Sequence, residues 1–248
     1  MTAVAWKSSV TGDWSGKTNW TGGKVPGAAD DVTVGVAGTY TVTIDGDQSA
    51  HSPTINRASA TVSDTGTLTL GTTLAVTAGT FALNSGTVEG GTLQVATAAS
   101  FVVVGQGANV LDGVTLDGAV TVGYFGNLSI HDGITLAGTN GTGSGTINVT
   151  GYSSELDIYG SATLDHATLT IGASGGFSYL TLNDLPGTPA TLTLGSALSL
   201  TAAGYTYVRA ESTDQSLVNN GTITAGVSSA YLYIQGFGQV TNNGVISV

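Results

Sequence analysis

Leu111-Asp-Gly-Val-Thr-Leu116 returns twenty residues later as His131-Asp-Gly-Ile-Thr-Leu136, and Leu164-Asp-His-Ala-Thr-Leu169 is a looser third copy. Toward the end, Val218-Asn-Asn-Gly-Thr-Ile223 returns as Thr241-Asn-Asn-Gly-Val-Ile246, an offset of 23. An offset of this size holds three short strands and three corners, and its recurrence is the mark of a chain that coils. Equivalent residues then stack one coil above the next at ~4.8 Å. Gly and Asn at the corners accept positive φ. Inward Leu, Val and Ile stack into a continuous core. An antiparallel sandwich is the rival, because Asn-Gly also favours two-residue hairpins. A sandwich, however, does not require corner motifs to recur at one coil length.

The segments between corners fit the same picture. Thr67-Leu-Thr-Leu70, Phe101-Val-Val-Val104, Ala119-Val-Thr-Val122, Thr146-Ile-Asn-Val149, Thr168-Leu-Thr-Ile171, Thr191-Leu-Thr-Leu194 and Tyr231-Leu-Tyr-Ile234 mostly alternate outward and aliphatic residues. This is the period-2 pattern of a half-buried strand. The reading is an all-β, three-sided parallel β-solenoid over residues 59–248. It would have about nine coils and a rod of ~40 Å. Residues 1–58, which hold all three Trp, form an N-terminal Trp-rich β cap. The Asn-Asn-Gly corners are expected to stack their amides.

Composition narrows the function. Charged residues make up 8% of the 248, Gly numbers 38 and Cys is absent. Without Cys there is neither a disulfide nor a thiolate metal site. Five basic against 16 acidic residues give a net charge of −11. Such a surface repels phosphate backbones and anionic lipid, so neither nucleic acid nor membrane insertion is expected. No apolar run reaches the ~18 residues of a membrane span. Met1 to Val10 lacks the basic and apolar regions of a Sec-type signal peptide.

The first region reads Trp6, Thr11-Gly-Asp-Trp-Ser15, Asn19-Trp-Thr-Gly-Gly23, Val25-Pro-Gly27, Asp30-Asp-Val32 and Gly38-Thr-Tyr-Thr-Val-Thr-Ile44. This resembles the N-terminal module of large repetitive bacterial exoproteins, adhesin-like and autotransporter-passenger-like. The later Leu-Asp-Gly-Val-Thr-Leu and Val-Asn-Asn-Gly-Thr-Ile segments resemble the β-helical repeats that follow it there. The resemblance implies a right-handed parallel β-helix exposed at or beyond the bacterial cell surface, and it implies no activity. Trp6, Trp14, Trp20 and Pro26 are expected to cap the solenoid end, since an open end exposes strand edges and core side chains. Stacking on carbohydrate is the other use of such rings.

The sequence carries no catalytic constellation, so neither catalytic residues nor a cofactor is expected. Asp112 and Asp132 occupy equivalent places in the repeat and, with Asp117, would share a corner. Beyond the first region Arg209 is the one basic residue, so a polysaccharide lyase lacks an evident base and oxyanion stabiliser. These Asp read as corner residues bonding their own backbone, with calcium second. His51, His131 and His166 lack zinc-ligand spacing. Thr-x-Thr runs at 39–43, 67–69, 168–170, 191–193 and 222–224 resemble ice-binding solenoids, although the irregular runs between them argue against a uniform array.

The function expected is structural or adhesive. Val245, Ile246 and Val248 form a terminal strand with no following cap. They would pack on the start of a second copy, giving head-to-tail self-assembly into a surface fibre or biofilm-matrix filament. Tyr205, Tyr207, Tyr231 and Tyr233 are candidates for stacking on surface glycans, or else for a plain aromatic ladder.

Overall fold

The computed structural model describes residues 1–173, 175–183, 189–227 and 230–248. The chain winds as a three-sided solenoid whose sides are parallel ladders. The first side starts with Thr2–Ala5, Asp30–Val34 and residues 52–55 and ends with Ser216–Asn219 and Gln239–Asn242. The second runs from Gly12–Asp13 and Tyr40–Ile44 to Thr222–Ala225 and Val245–Ser247. The third runs from Asp47–Ala50 and Thr67–Leu70 to Tyr205–Ala210 and Tyr231–Gln235. Between Asp30 and Gln235 this makes about nine complete coils, with a partial coil at each end. Strand Ser52–Asp64 passes through the 58/59 position, and Asp30–Val34 and Tyr40–Ile44 pair directly onto it. The ladders therefore reach into the Trp-rich region.

Strand alternation places every second residue inside. On the second side one inward column descends through Val42, Val62, Phe81 and Phe101. Below them it continues through Val120, Ile147, Leu169, Leu200, Ile223 and Ile246. From Val42 to Ile223 these side chains are buried. Burying one of them is worth about 1.5–3 kcal/mol, and the other two sides supply columns of the same kind. Phe81 and Phe101 stack obliquely within the column, 5.3 Å apart.

One inward position departs from this rule. Asp64 stands in register between Ile44 and Leu83 and is fully buried. Its Oδ1 accepts the Gly66 N–H at 3.1 Å, while Oδ2 has no partner. Burial pushes its carboxyl up to about 7 against the opposing pull of that N–H.

The repeats pair with a slip. Leu111 lies beside Ile130 and Asp112 beside His131, but Val114 lies beside Ile134. One extra residue is absorbed at the corner, where Asp132 takes φ 52° and the glycines Gly113 and Gly133 also take positive φ. The expected equivalence of Asp112 and Asp132 is thus corrected by one residue. Asp112 stands on the third side beside Glu89, whereas Asp117 stands on the first beside Gln94. The three Asp do not converge. The Asn-Asn-Gly repeat pairs without a slip: Asn219 Nδ2 donates to Asn242 Oδ1 at 2.7 Å and Asn243 Nδ2 to Asn220 Oδ1 at 3.0 Å.

The ladder of the first side is interrupted once. Residues 134–137 and Ala162–Leu164 adjoin without joining one sheet, and the later strands of that side form a separate four-stranded sheet. Between these two strands the chain includes the 3₁₀ turn Thr139–Gly141.

Candidate functional site: an aromatic edge

The third side carries its aromatic residues outward in registered columns. Phe177, Tyr205 and Tyr231 form one column, and Tyr179, Tyr207 and Tyr233 form the next. Two residues separate the columns along each strand, so all six rings leave the same face, while Leu180, Leu182 and Val208 point into the core. Tyr205 and Tyr231 stack at 4.7 Å and 11°, and Tyr207 and Tyr233 at 4.7 Å and 13°. Ring contact distance is ~3.5–4.0 Å, less than this centroid spacing, so the rings are offset and overlap like tiles. Phe177, Tyr231 and Tyr233 are exposed, and the rings between them are half-buried.

The row continues around the corner between the second and third sides. Tyr124 and Tyr152 stack there at 5.6 Å, with Phe125 edge-on to both. Phe125 takes φ 52°, which turns Tyr124 outward at 66% exposure. Gly176 lies beneath Tyr152: a Cβ at Gly176 would stand 2.5 Å from its ring, so the ring would have to shift. Tyr152 therefore lies over the residue that precedes Phe177. Five successive coils place an aromatic residue at this edge, Tyr124, Tyr152, Phe177, Tyr205 and Tyr231.

Beside the rings lies a polar cluster drawn from four coils. Arg209 packs over the Tyr179 ring at 4.4 Å. Its Nη2 donates to Glu155 Oε1 at 2.7 Å and stands 3.6 Å from Glu211 Oε1. Its Nε donates to Thr181 Oγ1 at 3.0 Å, and that hydroxyl donates to Glu155 Oε1. Asp157 Oδ2 accepts from Asn127 Nδ2 at 2.7 Å. Burial first, and the neighbouring Glu155 charge second, push the Asp157 carboxyl up to about 6. Burial also raises the Tyr179 hydroxyl, opposed by Arg209. These carboxylates are held by an arginine, a hydroxyl and an amide rather than left free.

The expected site residues fall into three places. Trp6, Trp14 and Trp20 are no more than 2% exposed and pack edge to face at 4.9 and 4.8 Å. Trp20 Nε1 donates to Trp14 O at 2.6 Å, and Pro26 is buried in the same region. No Trp face is open to a sugar. The Trp20 segment also closes the outer edge of the first strand, through an antiparallel Trp6–Trp20 bridge and the Lys7 N–H to Asn19 O bond. At the other end Ile246 stands below buried Ile223 and Val240 below buried Leu217, yet they are 40% and 48% exposed. These are core positions without cover. Val245, by contrast, stands below Thr222, an outward position, and Val248 lies beyond the last ladder pair.

Tyr205, Tyr207, Tyr231 and Tyr233 are brought together as a ladder. Tyr124, Tyr152, Phe177, Tyr179, Glu155 and Asp157 join them without having been singled out from the sequence. A signal was present: Gly123-Tyr124, Gly151-Tyr152, Gly176-Phe177, Gly204-Tyr205 and Ala230-Tyr231 each put an aromatic after a small residue, at intervals of 25 to 28.

The Thr-x-Thr runs divide among the sides: 67–69 on the third, 191–193 on the first, the others on the second. There the two outward columns of the second side hold Thr, Ser, Ala, Val and Asn from Tyr40–Ile44 down to Val245–Ser247, with no charged residue. Among the described residues no three His, Asp or Glu side chains gather to hold a metal ion, and no helix is long and apolar enough to cross a membrane. No protein-family model matches the chain, and no curated protein or solved structure matches it.

Proposed function

We propose that this chain is a non-catalytic structural and adhesive rod of the bacterial exterior that contacts glycans through its aromatic edge. The observation that carries the reading is the segregation of exposed rings onto one edge, row upon row, beside polar groups that satisfy one another. Tyr combines a broad apolar face with a hydroxyl, the combination that suits a sugar's C–H face and its rim of hydroxyls. Glu155 and Asp157 are tied to Arg209, Thr181 and Asn127, which suits a scaffold better than acid–base work. A glycan array probed with the intact protein tests the reading. Binding that is lost in Tyr207→Ala with Tyr233→Ala is expected; an array blank throughout overturns it.

End-to-end assembly belongs to the same proposal, with the uncovered core at Val240 and Ile246 seated on the Trp-capped start of another copy. Light scattering and electron microscopy should show elongated oligomers that Ile246→Lys abolishes. Monomers at every concentration, or oligomers indifferent to that substitution, defeat the assembly. A second reading, ice binding, draws on the charge-free outward columns of the second side, where Thr recurs from coil to coil among Ser, Ala, Val and Asn. Thermal hysteresis lost on Thr168→Lys would support it, and normal ice growth in its presence would end it.

A further inference from the structure

Resting on the glycan reading above, we infer that the aromatic edge is a site for one class of ligand, a linear uncharged polysaccharide laid along the axis of the rod. The geometry first concerns length. Aromatic residues occupy the same edge on five successive coils, from Tyr124 to Tyr231, a run of about 19 Å at the ordinary strand spacing. A site for a single sugar needs one or two rings. A row with the period of a coil suits a polymer whose own repeat, an extended pyranose, is of similar length.

Direction follows from the stacking. The rings overlap along the axis, at 4.7 Å between Tyr205 and Tyr231 and 5.6 Å between Tyr124 and Tyr152. The rings meet across coils in two groups, Tyr124 with Tyr152 and Phe177 with Tyr205 and Tyr231, Phe177 standing edge-on to Tyr205, so the apolar row runs from coil to coil and not along any one strand. Charge sets the class. Glu155 and Glu211 flank the track, and the guanidinium of Arg209 is already engaged by both. The chain as a whole carries −11. A uronic-acid or sulfated polymer would be repelled and find no free cation. An uncharged one meets no such penalty, and the exposed hydroxyls of Tyr124 and Tyr231 can bond its rim.

The test is calorimetric titration of the intact protein with cello-, manno- and N-acetylchito-oligosaccharides, each from disaccharide to hexasaccharide. Affinity for at least one series should rise about tenfold or more with length, as each added ring contact contributes. Tyr124→Ala with Tyr152→Ala should remove that gain without changing the melting temperature, since both residues are surface-exposed. Binding that is independent of length, or a length gain that survives the double substitution, overturns the polymer track while leaving glycan recognition in place. Preference for acidic oligosaccharides on the array overturns the uncharged class alone. Absence of binding to every glycan defeats this inference and the reading beneath it together.

Discussion

The two ends of the solenoid face the same physical problem and meet it differently. At the start, three Trp fill the cross-section of the core and a returning segment bonds the free strand edge. At the finish, Val240 and Ile246 hold core positions with nothing below them. Both ends have the same inward alternation and the same ladder. The difference is made by a few large side chains and one short turn-rich segment. Exposed core and open strand edges are a liability in a β structure, and buried rings remove it at the start, whereas Val240 and Ile246 stay partly exposed.

The largest expected effect tests the closed end. Trp20→Ala removes a fully buried ring and the bond to Trp14 O, and should cost about 3–5 kcal/mol in denaturant unfolding. Ile246→Ala at the open end should cost about 1–2 kcal/mol, because Ile246 is 40% exposed and less of it leaves water on folding. Equal losses at the two ends would erase the contrast.

The next test concerns Asp64, two coils from the cap. Its carboxyl is raised in the folded chain from an ordinary value near 3.8 to about 7. The folded state therefore holds the proton more tightly, and stability falls as pH rises through that window. Below it both states are protonated, and above it both are ionised, so the dependence flattens outside. The drop is on the order of 4 kcal/mol. Asp64→Asn should make the profile of unfolding midpoint against pH shallower, chiefly between pH 6 and 7, leaving the part below about 6 that Asp157 contributes. A wild-type profile already flat between pH 4 and 7 would show that Asp64 is solvated.

A smaller effect separates two stacked amides near the open end. Asn219 is buried, donates to Asn242 Oδ1 and accepts the Gly221 N–H, whereas Asn242 is exposed. Asn219→Ala should cost about 1–2 kcal/mol and Asn242→Ala less than ~0.5 kcal/mol by thermal unfolding. The smallest change in stability, near zero, is expected for Tyr124→Ala at the exposed corner, whose readout is the ligand titration and not the melting temperature.

Much of the fold could be read along the chain. The recurrence at 20 and 23 residues gave the coil, the period-2 segments gave the inward set, and Val218-Asn-Asn-Gly paired with Thr241-Asn-Asn-Gly as its spacing implied. Burial of the three Trp is the expectation of a cap at a solenoid end, where core side chains would otherwise be exposed. Less could be read of the candidate site. Tyr205, Tyr207, Tyr231 and Tyr233 stood out as Tyr-x-Tyr pairs. Phe177-Ser-Tyr179, the same pattern with one ring changed, did not, nor did the corner pair Tyr124 and Tyr152.

The alternation of inward and outward residues belongs to the sequence alone, since each strand carries its own period of two wherever it lies. Which outward residues become neighbours does not, because it depends on the summed lengths of the corners between them. One residue absorbed at the Gly113/Asp132 corner moved Asp112 from Asp132 to His131. Corners of differing length brought Glu155, Thr181 and Arg209 from three coils into one hydrogen-bonded group. A strand's pattern is a local property of its backbone; the register of a stack is settled only when the coils close on one another.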